Sequence, residues 1–394
     1  MLLAKAVIGT IGLLLFFTIF KINIGNFLIV ANLVYLVKPE NFYYDGLIIL
    51  AWGIFFISHN DILNLKNFEF PYKKLYLTLF IFAVIGFIKS RYFADGIKYF
   101  TNEFIFPFSL VLIIYNSKIS DAAAKKVYIS LVSVSFIVAV IGILLALAHP
   151  QERIGSTWVT AMTINAFYLI CFYIAIGLYF DSKKKFLRVL YIIMAFVIFL
   201  GLLFTYTRMA LLGVIFGLGL ASLKIKILRK YFIGFVFLGI LMIPQTLMSR
   251  FSLGMFKDVS MIIRYIVWVK SIHLIVAHPL TGIGFQTFKY INVMPEQLQF
   301  LYAEHSHNVY LRLALEVGVV GMISYVLIIY NVLKKYLKAF GNNMMDFFVF
   351  VAILSTMFTC LTDVFIIQTP ISFLFWTIIG LMFNKLRNNN KKYI

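Results

Sequence analysis

Apolar residues run through this chain in long stretches, broken only by short polar or basic connectors. The stretches cover 5–20, 22–37, 44–58, 74–89, 101–115, 127–148, 159–180, 187–204, 208–224, 231–247, 308–332, 345–362 and 367–385. A helix crosses the hydrocarbon core of a bilayer in about 20 residues, so the pattern predicts about twelve transmembrane helices. A membrane barrel would show short alternating segments instead. The expected fold class is all-α: a polytopic helical membrane protein, one integral membrane domain over 1–394, with no internal repeat. Lys21 barely parts the first two stretches, and no small-residue cleavage site follows the first. The stretch 5–20 therefore reads as an uncleaved span, not a signal peptide.

Composition agrees with the pattern. Hydrophobic residues make up 62% and charged residues 13%, against about 45–50% and about 25% in soluble globular proteins. The formal charge of +20 raises the question of a nucleic-acid partner. Its distribution argues against one. Lys183, Lys184, Lys185 and Arg188, the run 224–230, Lys334, Lys335 and Lys338, and the tail 385–392 lie in connectors or at the terminus. That is the positive-inside signature, and it places these segments in the cytoplasm. The connectors 89–100, 149–158, 205–208 and 248–307 then face outward. Cys171 and Cys360 sit inside apolar runs and read as small buried residues, not as a redox or metal pair.

Only one outer connector is long. Within 248–307, the stretch 261–277 is apolar but carries Arg264 and Lys270, with Trp268 between them. Two charges in mid-stretch make a crossing expensive. An amphipathic helix lying at the interface fits better, anchored by Trp268 and ended by His278-Pro279 and a Gly282-Ile283-Gly284-Phe285 turn.

The outer connectors hold the candidate chemistry. Arg208 follows Thr205-Tyr206-Thr207 and opens a span; it either snorkels to head groups or binds an anion, and guanidinium suits bidentate phosphate binding. Arg264 poses the same choice on the interfacial helix. His305-Ser306-His307-Asn308 immediately precedes the span 308–332. Two histidines at i and i+2 resemble a metal pair, but no third ligand stands at useful spacing. The remaining readings for His307 are a loop hydrogen bond or a general base. Glu316 within a span is costly unless paired, and is expected to hold a neighbouring helix or loop. It reads as a rare exception, since the middles of most spans look free of ionisable residues. Gly318 and Gly321 are expected to let helices approach closely. The long loop offers only Asp258, Glu296 and Glu304, and no Asp-x-Asp occurs in the chain, which disfavours a metal-dependent sugar transferase. Guanidinium groups, a histidine and hydroxyls are a set that stabilises a pyrophosphate leaving group without a metal.

Arg264-x-x-x-Trp268, His278-Pro279-Leu280-x-Gly282-Ile283-Gly284-x-x-x-Phe288 and His307-Asn308-x-x-Leu311-x-x-x-x-Glu316-x-Gly318-x-x-Gly321 resemble the core of the O-antigen ligase and polymerase superfamily. Thr207-Arg208 matches that family's upstream arginine, and Arg153-Ile154-Gly155-Ser156-Thr157 resembles its Arg-x-Gly stretch. Together these motifs cover roughly 150–325; before 150 the agreement is in hydropathy alone. The resemblance implies a cofactor-free, metal-independent, inverting glycosyltransferase of the bacterial inner membrane. Its active site would face the periplasm, with 248–307 as a periplasmic loop carrying part of it.

The implied donor is a glycan on undecaprenyl pyrophosphate, and the implied acceptor is lipid A–core. By the same resemblance Arg208 and Arg264 would bind the pyrophosphate, and His307 would position or deprotonate the acceptor hydroxyl. Arg153, Lys89, Arg91 and His305 are auxiliary candidates. A polymerase extending a lipid-linked repeat shares the donor site and stays open beside the ligase reading. A lipid-linked sugar transporter stays open as a third, and would be expected to line its spans with charge.

Overall fold

The computed structural model describes residues 23–36, 39, 44–58, 68–149, 152–158, 160–241, 259–291, 303–367 and 369–389. The expected first span at 5–20 and two stretches of the long loop, 248–258 and 292–302, lie outside them. The described residues form helices and no strands. In chain order these are α1 (Ile24–Ala31), α2 (Tyr44–Ser58), α3 (Lys73–Ile88), α4 (Phe93–Phe100), α5 (Phe106–Asn116), α6 (Asp121–Ala148) and α7 (Ala161–Asp181). There follow α8 (Lys185–Phe204), α9 (Arg208–Lys224), α10 (Lys226–Leu241), α11 (Val259–Ala277), α12 (Val309–Phe340), α13 (Met344–Thr359) and α14 (Ile371–Asn389).

Among the described residues six helices are long and apolar enough to cross a membrane: Phe93–Asn116, Asp121–Ala148, Ala161–Asp181, Lys185–Phe204, Val309–Phe340 and, against the expectation that its two charges bar a crossing, Ser260–Ala277. Others, such as α3, α9 and α13, have 16 or 17 residues, near the lower limit of about 17 for a crossing. The packing is that of a membrane bundle. α7 is buried on nearly every side, while α8 turns Phe186, Ile193 and Phe196 outward. A water-soluble fold would cover such a row.

Several expected boundaries move. The connector 89–100 shrinks to 89–92, because α4 and α5 join through a π turn at Thr101–Ile105 into one rod. The basic stretch 333–340 is not a loop but the last turns of α12, so Lys334, Lys335 and Lys338 lie on a helix. α12 itself is broken at Gly318, whose φ of 75° is outside helical range.

One end of the bundle collects a set of ion pairs. Lys385 bridges Asp346 at 2.8 Å and Asp121 at 3.6 Å. Arg387 pairs with Glu69 at 3.2 Å, Lys335 stacks over Tyr72 at 4.9 Å, and Lys125 pairs with Asp181. These contacts gather the N-terminal ends of α3, α6 and α13 with the C-terminal ends of α7, α12 and α14. His307 and Arg208 begin α12 and α9 at the opposite end.

Candidate active site at the end opposite the basic connectors

A short segment, 360–364, organises this end. Asn308 caps α12: its Oδ1 accepts from the amides of Tyr310 (2.9 Å) and Leu311 (3.0 Å), groups left without helical partners at any N-terminus. The same side chain donates through Nδ2 to Leu361 O at 2.9 Å, and Val309 N donates to Cys360 O at 3.0 Å. His307 precedes this doubly tied cap. Its φ of 48° is left-handed, a conformation that costs a non-glycine residue about 1 kcal/mol and persists only where neighbours fix it.

His305 supplies one such contact. Its Nδ1 accepts from His307 N at 3.2 Å, and the two rings meet edge to face at 4.4 Å. An accepting Nδ1 leaves the proton of neutral His305 on Nε2. Burial, His307, Arg312 and Arg264 all disfavour charge there and push the imidazole down to about 2. His307 is pushed down to about 4, first by burial and then by the positive charge of Arg264. Its Nδ1 is buried with no hydrogen-bond partner among the described residues. The structure thus brings His307, His305 and Arg264 together.

Arg264 reaches the same segment from α11. Its Nε donates to Thr362 O at 3.4 Å and its Nη1 to Ser260, one turn back on the helix. The next residue, Asp363, is buried, and its Oδ1 accepts from Val364 N at 2.8 Å. Burial lifts this carboxyl to about 6, against the opposing pull of the Val364 amide and Arg264. Asp363 went unnoticed in the sequence because the span 345–362 ends just before it. The available signal was that Asp363 is the one acidic residue after Asp346.

Arg208 begins α9, which packs along α13. α9 and α13 pack with Gly217 against Ser355, Phe216 stacked on Phe358 at 4.5 Å, and Gly213 against Thr359. Five more residues along α9, about 7.5 Å at 1.5 Å per residue, bring Arg208 level with the segment after Thr359. Arg153 stands behind it, donating through Nη2 to Tyr206 O at 3.3 Å, and Ile154 N donates to Phe204 O at 3.4 Å. Arg153 therefore braces the turn that presents Arg208.

Lys89 and Arg91 go elsewhere. Lys89 Nζ donates to Thr281 Oγ1 at 2.6 Å and to Gly282 O at 2.7 Å, while Arg91 reaches Tyr290 O at 3.3 Å and lies over the rings of Tyr92 and Tyr290. Both fasten the turn after α11. That turn threads the break in α12: Ile283 N donates to Leu315 O (2.6 Å), Val319 N to Pro279 O (2.8 Å) and Phe285 N to Gly86 O (3.3 Å). Gly318 is required here. A Cβ on it would stand 1.9 Å from Leu280 O, and its positive φ disfavours any side chain. Gly284, at φ 93°, meets the Lys89 backbone at 2.6 Å in the same way. The expected role of Gly318 in helix–helix approach is thereby corrected: it admits a loop. Gly321 does face a helix, with Phe82 of α3 beside it.

Glu316 holds this loop, as expected, accepting from Gln286 N at 3.5 Å. It is not a solitary charge. Arg312 donates through Nε to Glu316 at 3.0 Å and through Nη2 to Glu103 on the π turn, and all three side chains are buried. The expectation that the spans carry little else ionisable is corrected accordingly, and with it one argument against a transporter. These charges bond to one another and lock a loop. Among the described residues α11 meets α12 and this turn through a small core of its own, centred on Val267, Ile283, Phe288, Ala303 and Leu315.

The helical chain thus brings one arginine, Arg264, a histidine, His307, and a buried acid, Asp363, to one short segment at the end of the bundle where α9 and α12 begin. Residues 193–326 match the family model described as O-antigen ligase, and that match supports the O-antigen ligase and polymerase superfamily named by the motifs. The matched segment contains Arg208, Arg264, the turn after α11 and His307. No curated protein matches the chain. The family implies a membrane glycosyltransferase and a lipid-linked glycan as substrate.

Proposed function

We propose that this protein is a metal-independent, inverting glycosyltransferase that moves a glycan from undecaprenyl pyrophosphate to a lipid A–core acceptor at the periplasmic face of the inner membrane. The observation that carries the reading is the meeting of His307, Arg264 and Asp363 at 360–364, at the same end of the bundle as Arg208.

In the proposed step an acceptor hydroxyl oxygen attacks the anomeric carbon and the carbon–oxygen bond to the pyrophosphate breaks. Undecaprenyl pyrophosphate leaves with the electron pair, and the hydroxyl proton passes to His307. Arg208 and Arg264 stabilise the charge developing on the phosphate oxygens, which is where fixed cations lower a barrier. Donor binding also tunes the base. Arg264 is one of the two causes that depress His307, so a pyrophosphate neutralising that guanidinium raises the proton affinity of the imidazole as the donor arrives.

The test is transfer by the purified protein from a lipid-linked glycan, with and without lipid A–core. Glycosylated lipid A–core supports the proposal. Lengthened lipid-linked chains with no product on the core would replace it with a polymerase. Wild-type transfer rates in His307→Ala would remove the assigned mechanism. Transfer is expected to survive excess chelator; loss that a divalent ion restores would overturn the metal-free claim.

A further inference from the structure

α3 and the π turn with α5 enclose a groove of about 580 Å³, lined by Tyr76, Leu77, Phe80, Phe104 and Phe108, with Lys73 and Lys74 at one mouth. Leu77 and Phe80 are exposed, as are both lysines. Tyr76 is buried, flanked edge-on by Phe70 at 5.3 Å and Phe108 at 5.1 Å, and its hydroxyl has no hydrogen-bond partner among the described residues. Phe104 and Ile105 of the π turn form part of its wall.

The geometry points to a binding site for one anionic glycerophospholipid, an acyl chain in the groove and the phosphate at Lys73 and Lys74. An apolar slot ending in two cations matches an amphiphile with a negative head, and each lysine near a membrane surface favours an anionic lipid by a modest, additive amount. Position separates this lipid from the glycan donor. Lys73 opens α3 at the end that gathers Lys335, Lys385 and Arg387, whereas Lys89, just past its other end, fastens the turn beside the candidate active site. The 16 residues of α3 span about 24 Å at 1.5 Å per residue. A head group at Lys73 and Lys74 therefore belongs to the opposite leaflet from the proposed pyrophosphate. The site does not depend on the transfer reading, because lipid retention is measured without turnover.

The full-length protein in neutral detergent is incubated with equal amounts of phosphatidylglycerol and phosphatidylcholine of matched acyl chains, repurified, and its retained lipid quantified. Wild type is expected to favour phosphatidylglycerol by roughly tenfold, and the double variant K73Q/K74Q to lose that preference while keeping its thermal midpoint. Ser109 also lines the groove; Ser109→Trp, which fills it with both lysines intact, is expected to lose the retained lipid. Equal retention of the two lipids by wild type would overturn the site, and an undiminished preference in K73Q/K74Q would assign anionic-lipid binding to the basic surface at large and overturn it too. Displacement of phosphatidylglycerol by a long-chain isoprenyl phosphate at far lower concentration would overturn it in favour of the carrier lipid.

Discussion

Two cationic clusters lie on or beside the first turns of α12, and they are held in opposite ways. Arg312 is fully buried between two carboxylates that arrive from different directions, Glu316 one turn on and Glu103 on the π turn. Arg264 is only half-buried, tied to a carbonyl and a serine, with Asp363 behind it and a histidine in front. The first arrangement neutralises its charge internally and fixes a loop. The second ties a guanidinium to a carbonyl and a serine with the Asp363 carboxyl nearby, and its field still reaches the imidazole. Charge compensated at contact builds structure; charge whose field still reaches a neighbouring titratable group is the form a ligand can use.

Substitution separates the two most sharply at His307 and Arg312. His307→Ala and Arg264→Ala are expected to lower glycan transfer by about 100-fold or more, the scale of a lost general base or oxyanion partner, with little change in thermal unfolding midpoint. Arg312→Met is expected to do the reverse first. It leaves two buried carboxylates unpaired, a loss of about 3–5 kcal/mol, read as a lower unfolding midpoint in detergent. Adding Glu103→Gln and Glu316→Gln to Arg312→Met should recover much of that loss, because the cost lies in the uncompensated charge. If His307→Ala unfolds the protein as Arg312→Met does, the contrast collapses.

Gly318→Ala comes next. The new Cβ would meet Leu280 O at 1.9 Å, so the loop must withdraw from the break in α12. Strain at a positive-φ glycine costs on the order of 1–3 kcal/mol. Thermal unfolding should report that cost, and proteolysis within the turn after α11 should speed up. Gly321→Ala presses on side chains of Val317 and Phe82, which can shift, and is expected to cost less.

Much of this contrast was legible beforehand, and the residues show where legibility stopped. Hydropathy gave the helices, and the basic connectors gave the two ends, because both follow from the local cost of putting charge in hydrocarbon. Arg208, Arg264 and His307 stood out as polar residues at the mouths of apolar stretches. Glu103 and Arg312 did not, since their partnership spans 209 residues and a sequence pattern sees only near neighbours. The i, i+4 spacing of Arg312 and Glu316 was the visible half of the signal. The break at Gly318 was hidden for a similar reason: a glycine in an apolar run reads as helix packing until the loop that crosses it is known.

The smallest expected effect concerns pH, and it tests whether Asp363 belongs to the active corner or merely lines it. His307, depressed to about 4, stays neutral throughout the range where an ordinary histidine near 6.5 would titrate. The acid limb that it imposes on kcat/KM therefore belongs near pH 4 in the free enzyme. Asp363, raised to about 6, takes up its proton first as pH falls and so withdraws a negative charge from beside Arg264. Losing that charge strengthens the net positive field at His307 and lowers its proton affinity further. A shallow decline of a fewfold in kcat/KM between about pH 7 and pH 5 is the expected outcome. Asp363→Asn removes the titrating group, so its profile should lie flat across that window at the lower level, with the steeper limb retained. An unchanged shallow step in Asp363→Asn would assign the step to another group and leave Asp363 as packing alone.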